Sequence, residues 1–210
     1  MALKGLEESL GEVEATLNGV VDRREKLIKQ SRDVISSCSK TIVNIHNGKF
    51  AEATKELRQA KELLSELRTV GTGTLGRYLV SPETEFVEAS AVTAIVKKER
   101  IPSIANLGVS PEAYVLGMLD CIGEVRRLLL DSVIKGDMKR AGSLFSTMEH
   151  LYSLLSHFAV YDNAVQGTRR KIDVARALIE DTRGIMAEES RREKLNASMT
   201  RLYKRLGKGA

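Results

Sequence analysis

Residues 108–137, GVSPEAYVLGMLDCIGEVRRLLLDSVIKGD, read as one helix with its own start and stop. Ser110 is a capping residue, and Pro111 stands at the first helical position, where its missing N–H is no loss. Gly136 breaks the helix after Lys135, and Asp137 can cap the next one. In between, Val115, Ile122, Val125 and Leu129 form an apolar face, opposite a stripe of Asp120, Glu124, Arg127 and Asp131. Gly117 and Gly123 weaken the helix by about 1 kcal/mol each against alanine. Such positions imply a close approach, by another helix in the commoner case or by a sugar-phosphate backbone.

Upstream, Ser81-Pro82 predicts a second capped start, for a helix that ends before Pro102. Further back, the first 47 residues hold no proline and carry a heptad. Leu3, Leu10, Leu17, Ser31, Cys38 and Ile45 form one series, with Arg24 interrupting, and Leu6, Val13, Val20, Leu27 and Val34 form the interleaved one. At about 1.5 Å per residue this helix would be roughly 65–70 Å long. It must lie along other long helices or along a neighbouring subunit. Gly48 stops it, and a second helix follows from Phe50 to Val70 with Leu57, Leu63, Leu64 and Leu67 inward. Gly71, Gly73 and Gly76 then loosen the chain. GTGTLGR is not a phosphate-binding loop, because no strand precedes it and no GK[ST] follows.

Downstream, a helix from Met138 to about Tyr161 and another from about Ala164 to Ser190 are expected, with a short, basic, frayed or weakly helical tail from Arg191. No strand pattern or repeat appears. The expected fold is all-α: a bundle of about six to seven long antiparallel helices in a single domain, residues 1–210.

The net charge of +5 is a mild excess, compatible with a nucleic-acid partner but shared by many proteins. Cys38 and Cys121 sit in apolar helical patterns with no zinc-like spacing, as small core residues of a reducing compartment would. No apolar run approaches the roughly 20 residues that span a bilayer. The N-terminal MALKGLEESLGEVEA lacks a signal-peptide core, and a cytoplasmic protein with no membrane partner is expected.

Four carboxylates stand out. Glu85 and Glu88 are three apart on an apolar helix face with Val92, Ile95 and Val96, where an unpaired charge is costly. Neutralisation by Arg or Lys and a functional role compete there on equal terms. Asp120 and Glu124 are four apart, and by themselves a solvated charged stripe is the favoured reading. If the two helices faced each other, four hard oxygen donors would converge on Mg²⁺ or Mn²⁺. One or two ions could then assist phosphodiester hydrolysis.

Basic residues cluster as Arg23, Arg24, Lys26, Lys29 and Arg32; as Lys97, Lys98 and Arg100; as Arg126 and Arg127; and as Arg169, Arg170 and Lys171. Each cluster can neutralise phosphates, although solvated faces look the same. Lys97, Arg126 and Arg127, beside the acids, are the favoured RNA contacts, followed by Arg23, Arg24 and Lys29. No aromatic stacking platform is visible, so any grip would be electrostatic and indifferent to base sequence. His46, His150 and His157 are scattered, and no nucleophilic triad is visible.

Three segments carry a resemblance. Residues 24–46, REKLIKQSRDVISSCSKTIVNIH, resemble the first long helix of the translin superfamily. Residues 85–89, EFVEA, resemble its E-[YF]-V-E-A segment, and residues 108–137 resemble its Y-L-x-G-x-x-D, G-E-L-x-R and S-V-x-x-G-D block. The resemblance covers about residues 20–190. The superfamily has a nucleic-acid-binding branch, translin, and a catalytic branch, translin-associated factor X. The acids of the second are matched by Glu85, Glu88, Asp120 and Glu124. The resemblance therefore implies a Mg²⁺-dependent endoribonuclease, Mn²⁺ being an alternative ion, with these four acids as metal ligands and catalytic groups. It implies RNA as partner, double-stranded as well as single-stranded, and a closed homo-oligomer of octamer type. The alternatives are a non-catalytic subunit that binds RNA or single-stranded DNA, and a purely structural helical oligomer.

Overall fold

The proline-free start of the chain forms one 43-residue helix, α1 (Lys4–His46), in the computed structural model, which describes residues 3–206. Gly48, at φ 72°, ends it in the left-handed region that a side chain would oppose, and its N–H donates to Ile45 O at 3.0 Å. Then come α2 (Phe50–Val70), a 3₁₀ turn (Gly73–Leu79), α3 (Val80–Lys97), the short α4 (Ile104–Leu107), α5 (Pro111–Ile134), α6 (Met138–Leu155), a second 3₁₀ turn (Ser156–Tyr161) and α7 (Thr168–Leu206). Among the described residues there is no strand, so the all-α expectation holds. No described helix is long and apolar enough to cross a membrane. By internal contacts the chain forms two compact units, Met1–Met118 and Leu119–Ala210, and the boundary falls inside α5.

In the first unit, α2 and α3 pack on α1. The heptad explains how: Leu27, Val34, Cys38 and Ile45 are buried, and Ala53, Ala60, Leu64 and Leu67 of α2 close over them. The same heptad has no cover in the first half of α1. Leu3, Leu6, Leu10, Val13 and Leu17 stand 51–70% exposed. α3 is the opposite case, with nearly every residue from Pro82 to Ala94 buried. Gly117 of α5 explains one close contact. A Cβ there would lie 2.5 Å from Thr84 O and 2.7 Å from Val87 Cβ, so only glycine lets α5 approach α3 at that point. Gly123 has no such neighbour within 4 Å, so helix packing does not account for it.

In the second unit, Ile122, Val125 and Leu129 of α5, Leu144, Met148 and Leu151 of α6, and Ile172, Ala175 and Ile179 of α7 are buried. Asp137 caps α6 by accepting from Arg140 N at 2.9 Å, as its position predicts. Cys38 and Cys121 are both buried, and neither forms a disulfide.

Four local expectations need correction. The glycine-rich GTGTLGR does not loosen the chain but winds into the first 3₁₀ turn, anchored by buried Leu75. That turn runs straight into α3, so Ser81 is not a cap and Pro82 falls in the first helical turn, where no intrahelical donor is needed. α4 was not anticipated; Ser103 and Asn106 form a reciprocal capping box around its four residues. The tail from Arg191 continues α7 to Leu206 instead of fraying.

Candidate functional site

A helix buried on all sides should be apolar, yet α3 carries Glu83, Glu85 and Glu88. Each needs a partner to offset its desolvation. Glu83 has two. Its Oε1 accepts from Arg68 Nε at 3.0 Å, and its Oε2 accepts from the backbone N–H of Ser110 at 2.9 Å. Arg68 also donates to Leu107 O at 3.3 Å. One carboxylate therefore ties together α2, α3 and the turn between α4 and α5. With its oxygens occupied, Glu83 serves the fold. Nothing in the local sequence sets it apart.

Glu85 and Glu88 are half-buried, and both engage neighbours. Their position is reported by Cys38 on α1. Burial pushes its thiol up to about 12, and the negative charges of Glu85 and Glu88 add to the shift. The two acids thus create a negative potential inside the first unit, on the α1-facing side of α3.

Asp120 and Glu124 lie on α5 in the second unit, with side chains 29% and 24% exposed, so neither belongs to a freely solvated stripe. Asp120 Oδ1 accepts a hydrogen bond from the Lys171 ammonium on α7. Glu124 lies 3.9 Å from Arg127, one turn along the same helix. Between the two acids, Gly123 leaves open space where a side chain would stand. Among the described residues, no three or more His, Cys, Asp and Glu side chains are gathered as around a bound ion. The donor chemistry still fits a hard divalent cation. All four groups are carboxylates, an ammonium already stands against Asp120, and bare space adjoins it.

The predicted RNA contacts divide. Arg126 donates from Nε to Thr182 Oγ1 at 3.0 Å and from Nη2 to Asp181, so it clamps α5 to α7. Lys97 is exposed and donates to Thr54 Oγ1 at 3.2 Å. Arg127, Arg23 and Lys29 are exposed. Arg169 and Arg170 line an open groove of about 570 Å³ with Asp162 and Asp173 at the start of α7.

Arg24 belongs to a cluster the sequence did not disclose. Its Nε donates to Tyr78 Oη at 2.8 Å, while Arg77 Nη2 donates to the same oxygen at 3.4 Å. Both guanidinium carbons lie over the ring, at 5.6 and 5.1 Å. These hydrogen bonds, Arg24's first, hold the Tyr78 hydroxyl below its ordinary pKa. Two guanidinium groups on one tyrosine make a compact positive cluster on the first unit. Only Arg77 and Tyr78 are neighbours in sequence; Arg24 lies 54 positions away from Tyr78.

The translin family model matches residues 68–181, a segment that contains α3, α5 and all four candidate acids. The chain belongs to the translin family. An uncharacterised protein of Methanocaldococcus jannaschii is 31% identical over 188 residues, covering 87% of this chain and 84% of the relative. The structure of an AfC3PO–duplex RNA complex is 33% identical with a TM-score of 0.78, covering 93% of this chain and 100% of that one. The crystal structure of AfC3PO gives 33% identity and a TM-score of 0.74 over 90% of this chain and 96% of that one. Apo-NeC3PO, at 21% identity and a TM-score of 0.78, shares the fold over 85% of this chain and 95% of its own. Within the translin-family segment, then, lie one acid with a structural partner set, Glu83, and two acid pairs with donor chemistry suited to a cation.

Proposed function

We propose that this chain is the catalytic subunit of a metal-dependent endoribonuclease of the translin-associated factor X type. The observation that carries the reading is that Glu85, Glu88, Asp120 and Glu124 are all present and all only half-buried, on helices whose other residues are mostly buried. A family relative in complex with duplex RNA supports RNA as the substrate class. In this reading the pair Glu85 and Glu88 on α3 and the pair Asp120 and Glu124 on α5 would each offer carboxylate oxygens to Mg²⁺, or to Mn²⁺ in its place. Such a cation supplies phosphoryl polarisation and a water made acidic enough to attack at neutral pH. The protein's own part is to position and neutralise the RNA backbone. Arg24 with Arg77, and the exposed Arg23, Lys29, Lys97 and Arg127, offer charge to phosphates. No base-edge reader is among them, so cleavage would depend little on sequence.

Cleavage of labelled RNA by the purified chain is expected with Mg²⁺ or Mn²⁺ and not with EDTA. Tight RNA binding with no cutting in either metal would leave the second reading, a non-catalytic RNA-binding subunit of translin type. One observation favours that alternative: the charge of Asp120 is already neutralised by Lys171.

The bare half of α1 suits self-association, and so does the end of α7, where Leu195, Met199 and Leu202 stand 46–61% exposed at helical spacing. A closed shell of octamer type would cover such stripes. Light scattering is expected to give a mass several times 23.2 kDa. A monomer at micromolar concentration would contradict it.

A further inference from the structure

We propose that Lys171 is the resident counter-ion of Asp120, and that a divalent cation binds there only by displacing it. The inference rests on the metal-dependent reading above and concerns the second unit alone. Lys171 lies in the first turn of α7, and its neighbours Ile172 and Ala175 are each 2% exposed, so the helix that carries it is anchored by packing. Its side chain is 25% exposed, against 29% for Asp120, and the two meet in a charge-assisted hydrogen bond.

A bound ion and the ammonium compete for the same carboxylate. A carboxylate that satisfies an ammonium has less charge to give a cation, and a doubly charged ion repels an ammonium at contact distance. Lysine suits this exchange. Its charge sits at the end of a flexible four-carbon stem, and the ammonium is readily taken up by water. The next cation along α5, Arg126, contrasts with it: held by both Asp181 and Thr182, it is fixed in place. At Gly123, three residues beyond Asp120, a side chain would begin in open space, so no packed neighbour crowds that side of α5. Lys171 thus keeps Asp120 neutralised when no metal is present, and withdraws as the metal arrives.

Calorimetric titration of Mn²⁺ into the metal-free full-length chain at low ionic strength tests this. Lys171→Met is expected to tighten Mn²⁺ binding about tenfold, the scale of one charge-assisted hydrogen bond that the ion no longer has to break. Lys171→Arg is expected to bind no tighter than the wild type, because the positive charge remains. Adding Asp120→Asn to Lys171→Met is expected to abolish the gain. Circular dichroism verifies folding, and Lys171→Gln replaces the methionine variant if that one fails to fold. Equal or weaker Mn²⁺ binding by the neutral variant, with the wild type binding normally, overturns the inference and leaves the metal reading intact. Absence of any Mn²⁺ binding by the wild type overturns both.

Discussion

Replacing Glu88 by glutamine is expected to slow RNA cleavage by on the order of 10²–10³-fold while assembly and RNA affinity stay near wild type. The amide keeps the volume of the side chain on crowded α3 but gives up the negative charge and one hard oxygen donor. Half-buried Glu88 lies in the same negative region that raises the Cys38 thiol. Glu85→Gln and Asp120→Asn belong to the same series. Initial rates on labelled RNA, paired with filter binding, separate loss of chemistry from loss of grip. RNA binding is expected to survive because its charges come from other residues, Arg24 and Arg77 among them. Cleavage that continues in all three variants with EDTA present would remove the metal-dependent mechanism.

Glu83→Ala is expected to act on the other side of that division, lowering stability by about 3 kcal/mol without any direct effect on chemistry. The glutamate side chain is 6% exposed and satisfies both Arg68 and the Ser110 N–H. Truncation leaves a partly buried guanidinium and a backbone donor with no acceptor. Arg68 is itself 29% exposed, and water can reach part of it, which places the loss at the lower end for buried pairs. Urea denaturation of the two proteins at matched concentration measures it. A loss below about 1 kcal/mol would mean that the carboxylate is not a fastener of the first unit.

The contrast between Glu83 and Glu88 marks where the sequence stops being readable. Periodicity located α2 and the ends of α1 and α5 almost to the residue, because apolar spacing and the Gly48, Pro111 and Gly136 signals act locally. Asp137 was equally legible, since a cap lies beside the helix it caps. The first 3₁₀ turn was not, because a glycine-rich string looks loose until Leu75 is seen to be buried. The continuation of α7 past Arg191 was missed for the reverse reason: good helix formers with no cover in the chain look like a fraying end.

Among the acids, helical spacing sets Glu85 and Glu88 apart on an apolar face and passes over Glu83. Glu83 is set apart by Arg68, 15 positions earlier, and by a backbone N–H 27 positions later. Asp120 finds Lys171 at a separation of 51, and Arg24 finds Tyr78 at 54. Such pairings are properties of the fold. The family resemblance supplied the candidate acids, but it could not say that one of them is met by a lysine.

The ties of Glu83 also set an order of events as the chain is made. Arg68 and Glu83 are both joined to the chain before Ser110 is, so only one half of the tie exists until residue 110 has been added. The bend that begins α5 has nothing to fasten to until that earlier pair is in place. Nascent chains that stall before residue 110 therefore carry a half-finished latch.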